Sequence, residues 1–95
     1  MFVVVLRFSN NKAQAGQFMD GHNAWLKQGF DDGVFLVAGS LKPAGGGAIV
    51  AHATSRDDLA QRVSADPFVA EGVVDADIIE VAPAKTDERL AFLLA

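Results

Sequence analysis

The chain opens on Phe2-Val3-Val4-Val5-Leu6-Arg7-Phe8, in which both alternating sets, Phe2/Val4/Leu6/Phe8 and Val3/Val5, are apolar. Apolarity at both parities over a strand length predicts a β-strand covered on both faces. Asn10-Asn11 end it. From about Ala15 the period changes from two to 3.6, so that Phe18, Met19, His22, Trp25, Leu26, Gly29 and Phe30 share one face of a helix that stops at Asp31-Asp32-Gly33. Residues 34–38 and 48–54 are two further apolar runs of strand length. Between them lies a turn region holding Gly39, Ser40, Pro43 and Gly45-Gly46-Gly47, which makes the pair a hairpin.

Ser55, followed three residues later by Asp58, has the form of a capping box, and Leu59, Ala60 and Val63 supply the apolar stripe of a second helix that ends near Ala65. Asp66 before Pro67, with Gly72 five residues beyond the proline, is the pattern of a single capped turn. Residues 73–81 form a fourth strand closed by Pro83. Residues 86–95 begin acidic and end on Leu90, Phe92, Leu93 and Leu94, which predicts a short terminal helix docked on an apolar surface. The order β-α-β-β-α-β specifies an α+β, ferredoxin-like fold: a four-stranded antiparallel sheet with both helices on one face. One domain spans residues 1–83, and residues 84–95 are a tail.

Two helices cover one sheet face only, yet the first three strands are apolar on both. Pairing two sheets about a twofold axis removes that liability, so the chain is expected to be a homodimer or higher homo-oligomer. Composition points the same way: 51% of residues are hydrophobic and mean hydropathy is +0.23, high for a chain of 95 residues that must keep much of its surface in water. No run approaches a membrane span and no signal-peptide pattern opens the chain, which leads to the expectation of a cytoplasmic protein. The absence of cysteine removes thiolate nucleophiles and thiolate-rich metal sites. Net charge of −4 without a basic stripe argues against nucleic acid.

Few residues offer chemistry. His22 sits within the Phe18–Trp25–Leu26 stripe, so its imidazole is expected between helix and sheet, either as a proton-transfer group or as a core histidine satisfied by one hydrogen bond. Asp66 is a favoured N-cap for the amide of Phe68 or Val69. Ser40 can donate to a substrate oxygen or serve as a turn residue, and Trp25, one turn from His22, can line a pocket as well as fill the core. Gly45-Gly46-Gly47 lacks the phosphate-loop pattern and precedes a strand, so it reads as a flexible hairpin loop. His52 lies mid-strand and reads as a dimer-face or solvent residue. No metal-ligand spacing occurs.

With His22 seven residues before Gly29, Leu36-Val37-Ala38-Gly39 closing the second strand, and Asp66-Pro67-Phe68-Val69-Ala70-Glu71-Gly72 before the last, the chain resembles the YCII-related (YciI-like) family over roughly residues 1–83. The resemblance implies a dimeric ferredoxin-like α+β barrel, related in fold to muconolactone isomerase, with a His–Asp dyad that maps onto His22 and Asp66, one oxygen of Asp66 capping the turn while the other receives His22. It also implies cofactor-free chemistry, since a similar protein is a dehydrochlorinase of a chlorinated hydroxyquinol. Ser40 stands where many relatives place proline, and the apolar tail lies outside the family pattern. The reading is therefore a small cofactor-free lyase or isomerase acting on a small cyclic or aromatic substrate, with Ser40, Trp25 and Phe68 as substrate contacts. The alternative is a non-catalytic dimeric module that binds a small ligand or a protein.

Overall fold

Strand β1 (Phe2–Phe8) has one dry face: Phe2, Val4 and Leu6 are buried, whereas Val3 and Val5 are half-buried. The computed structural model describes residues 1–94, and in it three more strands pair around β1: β2 (Phe35–Ser40), β3 (Gly47–Ala51) and β4 (Val74–Glu80). The sheet order is β2-β3-β1-β4 with every neighbouring pair antiparallel, which is the ferredoxin-like arrangement. Helix α1 (Ala15–Asp31) follows β1, and α2 (Arg56–Ser64) with the single turn α3 (Pro67–Ala70) follows β3. All three lie over the face that carries Phe2, Val4, Leu6, Phe35, Ile49 and Ala51, and Leu59, Val63 and Phe68 complete the core from the helix side.

Local signals set the helix ends. Ser55 Oγ accepts the Asp58 amide at 3.1 Å, and Asp57 and Asp58 occupy the first turn of α2, where the helix dipole favours negative charge. The far end of α1 is tied to α2 by two contacts, Trp25 Nε1–H donating to the Arg62 carbonyl at 2.9 Å and Arg62 pairing with Asp32 at 3.0 Å. There Gly29 is buried against β2, and a β-carbon at that position would clash with the Phe35 ring.

Several sequence expectations need correction. Strand β2 runs two residues further than expected, through Gly39 to Ser40, so Ser40 is a strand residue paired with Gly47 instead of a turn residue. Strand β3 stops at Ala51, short of Thr54: the His52 amide makes a last bond across to the Val34 carbonyl at 2.9 Å, and Ala53 then takes a left-handed conformation with φ of 53° that ends the extended run. The tail forms a short helix of 3-10 type, Glu88–Leu94, in which no residue is buried, and Ala95 lies outside the described residues. His52 meets that tail, its ring edge-on to Phe92 at 5.4 Å. The sheet face away from α1 and α2 carries Val3, Val5, Val37, Ala48, Val50 and Ile79, of which Val37 is 61% and Ile79 46% exposed. No helix among the described residues is long and apolar enough to cross a membrane.

The packing at Gly29 predicts that Gly29→Ala overpacks the α1–β2 contact and costs about 1–3 kcal/mol. Gly16→Ala, in the first turn of the same helix with nothing within 4 Å of the new methyl group, should be neutral or stabilising by up to about 1 kcal/mol. Urea midpoints of the two variants check the contrast. A second expectation concerns Asp32, whose carboxyl is held below its usual range by the Gln28 side-chain amide first and by Arg62 next. A depressed carboxyl stabilises the fold above its unfolded value and loses that contribution as pH falls through the folded one. A carboxyl-carbon NMR titration should show the depression in the wild type and a midpoint closer to the usual range in Arg62→Met.

Candidate functional site

The site is assembled where α3 begins. Asp66 is extended, and Pro67 at the first helical position has no N–H to cap, so the first free amide is that of Phe68. It donates to Asp66 Oδ1 at 3.0 Å. Pro67 packs against α1 at Gly21, where a β-carbon would stand only 3.1 Å from the proline Cγ. That close approach brings the next residue of α1 onto the same carboxylate: His22 Nδ1 lies 2.9 Å from Asp66 Oδ1.

A single oxygen therefore serves both the cap and the imidazole, which corrects the expected division of labour between the two oxygens. Oδ2 is buried and has no hydrogen-bond partner among the described residues, and the Asp66 side chain is fully enclosed. The Phe68 amide can only donate, so Oδ1 accepts that bond, and an ionised carboxylate would accept the second from Nδ1–H, the tautomer that leaves the free lone pair on Nε2. Nε2 makes no hydrogen bond among the described residues, and His22 keeps 12% of its side chain exposed. The imidazole stacks on Phe68 with ring centroids 4.1 Å apart and planes 5° apart, and more loosely on Trp25 at 5.8 Å and 27°.

His22 opens onto a cavity of about 310 Å³ between α1 and the helix-side face of the sheet. Such a volume is at the small end for ligand sites and suits a single ring. Its walls are apolar, with Phe8, Met19, Leu26 and Phe68 among them, and its floor includes Gly46 and Gly47, so residues read as a flexible loop border the cavity. Ser40 lines it because pairing with Gly47 puts it on the helix-side face. Trp25 does not line it, since its ring is turned edge-on to Phe35 at 5.1 Å. Asn23 was not singled out from the sequence, although it adjoins His22 and brings an amide to the cavity wall. Among the described residues no group of three or more potential ligands could hold a metal ion.

A ferredoxin-like α+β domain with a histidine at the mouth of a small apolar cavity defines a class, and the comparisons narrow it. Residues 1–82 match the YCII-related domain family, and the chain belongs to that family. No curated protein matches the sequence. Among solved structures, the chain is similar to 5-chloro-2-hydroxyhydroquinone dehydrochlorinase from Burkholderia phenoliruptrix in complex with 2,5-dihydroxybenzoquinone. The TM-score is 0.68 at 18% identity, over 85% of this chain and 93% of that one. At that identity the likeness establishes the fold.

Because both bonds fall on one oxygen, substitutions at Asp66 separate the roles of its two oxygens. Asp66→Ala removes both acceptors and should cost at least the roughly 0.5–2 kcal/mol of a lost N-cap. Asp66→Asn can place its carbonyl oxygen where Oδ1 stands and accept both donors, but its amide nitrogen then replaces Oδ2 where no partner awaits it among the described residues, at a cost of about 1–3 kcal/mol. Its urea midpoint should therefore fall below that of the wild type although the cap is kept, and a carboxyl-free variant that matches the wild type would contradict the enclosed position of Oδ2.

Proposed function

We propose that this protein is a small-molecule enzyme of lyase or isomerase type that works by proton transfer, without a cofactor, on a single-ring cyclic or aromatic substrate. The observation that carries this reading is the arrangement of His22, with Nδ1 anchored on a buried carboxylate and Nε2 unengaged at a small apolar cavity. A base so oriented takes a proton from a hydroxyl or an acidic carbon of the bound ring. Asp66 stabilises the imidazolium that results, in the manner of a carboxylate behind a catalytic histidine. In an elimination, the ring is held as the tautomer whose carbon bearing the leaving group is saturated; the electron pair released on deprotonation forms a new double bond to that carbon as the leaving group departs with its bonding pair, and the imidazolium returns the proton to solvent. In an isomerisation the same imidazolium delivers it to another ring atom. Neither route needs an oxidant or reductant. The dehydrochlorinase with the same fold acts on a ring of this kind, which supports the substrate class.

Ser40 and Asn23 are the neutral polar groups available to hold ring oxygens, and Phe68 adds an aromatic wall. A panel of chlorinated and unchlorinated hydroxyhydroquinones, followed by chloride release and ultraviolet absorbance, tests the reading. With a turned-over compound, His22→Gln should still bind but react about 10²–10⁴-fold more slowly. Ser40→Ala should raise KM by about 2- to 10-fold, the worth of one hydrogen bond, with little change in kcat. Unaltered turnover in His22→Gln would remove the proposal.

The proposal includes a homodimer formed through the sheet face away from α1 and α2. A folded monomer of 10.0 kDa is expected to expose about 5,200 Å². This chain exposes 5947 Å², with Val37, Ile79, Val81, Leu90, Phe92 and Leu94 contributing apolar surface. The excess of roughly 700 Å² approaches what one partner of a standard interface buries. Sedimentation at micromolar concentration should give a dimer, and a stable monomer would contradict it.

A further inference from the structure

We propose that Phe68 is the positioning residue of the His22 imidazole: its ring fixes the plane of the histidine, while its backbone holds the carboxylate that fixes the histidine's rotation. The catalytic meaning of this rests on the proton-transfer reading above, but the positioning itself is a property of the resting protein. The hydrogen bond from Nδ1 to Asp66 restrains a distance far more tightly than a direction, so with Nδ1 held near the carboxylate the side chain can still rock about its two χ angles, and rocking moves Nε2. Asp66 alone restrains that motion only loosely. A flat surface parallel to the ring limits it, and Phe68 supplies one at 4.1 Å and 5°, whereas Trp25 at 5.8 Å and 27° is too distant and too inclined to do the same.

Phe68 is itself immobilised from three sides. Its amide donates to Asp66 Oδ1 at 3.0 Å, its carbonyl accepts from Val73 N–H at 2.9 Å, and its side chain belongs to the buried core. The same residue therefore sets both restraints on the histidine, the carboxylate through its backbone and the ring plane through its side chain. Leucine at this position would keep the amide, the carbonyl and much of the apolar volume while removing only the planar face.

Nuclear magnetic resonance of protein labelled with nitrogen-15 histidine tests this without a substrate. In the wild type the His22 ring protons should be shifted upfield by the stacked Phe68 ring, and the Nδ1–H proton should exchange slowly with water. Phe68→Leu should lose the upfield shift and exchange Nδ1–H at least 10-fold faster, Phe68→Tyr should restore both, and Trp25→Phe should leave the exchange rate unchanged. Circular dichroism melts establish that each variant is folded. Should the leucine variant not fold, Phe68→Met, similar in volume but unbranched, carries the same expectation. Wild-type Nδ1–H exchange in a folded leucine or methionine variant, or an equal acceleration in Trp25→Phe, overturns the assignment. Unaltered turnover in His22→Gln with these spectra as expected strikes the proposed chemistry and leaves the positioning intact.

Discussion

Asp66 Oδ1 is the point on which two distant parts of the chain converge. The Phe68 amide reaches it from two residues away and the His22 imidazole from 44 residues away, so one atom sets both the start of α3 and the distance from α3 to α1. The surroundings make that atom costly to place. A fully enclosed carboxyl loses its hydration and needs hydrogen bonds in return, yet Oδ2 has no partner among the described residues. Compensation is concentrated on the other oxygen. Proline at position 67 offers no amide of its own, and glycine at position 21 lets the proline close on α1, so the two unusual residues beside the pair each shorten the same gap.

The cavity follows from the way α1 lies over the sheet. Toward its C-terminal end Gly29 allows the helix to settle on Phe35, and Trp25 fills the adjoining space from the side. About one to three turns earlier, Met19, His22 and Leu26 line the cavity with Ala38, Gly46 and Gly47, whose side chains are a methyl group or nothing. Large residues close one end of the helix–sheet contact and small residues leave the other open. His22 stands at the open end, lining the cavity while its Nδ1 meets the enclosed Asp66 carboxyl. The same contrast of sizes that packs the core thus provides the space in which the proposed chemistry would occur.

Much of the architecture was legible in the sequence because it is encoded locally. A change of period from two to 3.6 marks α1, Ser55 and Asp58 mark the start of α2, and Asp66-Pro67 marks α3 without reference to any distant residue. The resemblance, not the pattern, singled out His22 and Asp66 together, since nothing local links residues 44 apart. What escaped was set by register and approach. Ser40 faces the cavity because β2 continues to pair as far as Gly47, and β3 is short because Ala53 adopts a left-handed backbone, neither of which leaves a mark in an apolar run. Trp25 shares the helix face of His22 but lies one turn nearer Phe35, so the slope of α1 on the sheet decides that it fills the core. That both donors would choose one oxygen depends on where α1 crosses α3. No spacing records that.

The proposed role of His22 depends on the direction of one hydrogen bond. Nitrogen-15 chemical shifts of the His22 ring, measured at a pH where the imidazole is neutral, report directly which nitrogen carries the hydrogen. The expected result is the Nδ1–H tautomer, with Nε2 showing the shift of an unprotonated nitrogen that moves when a small ring compound enters the cavity. Finding the Nε2–H tautomer, which requires the Asp66 carboxyl to carry the shared proton, would leave His22 without a free base and rule out its proposed role.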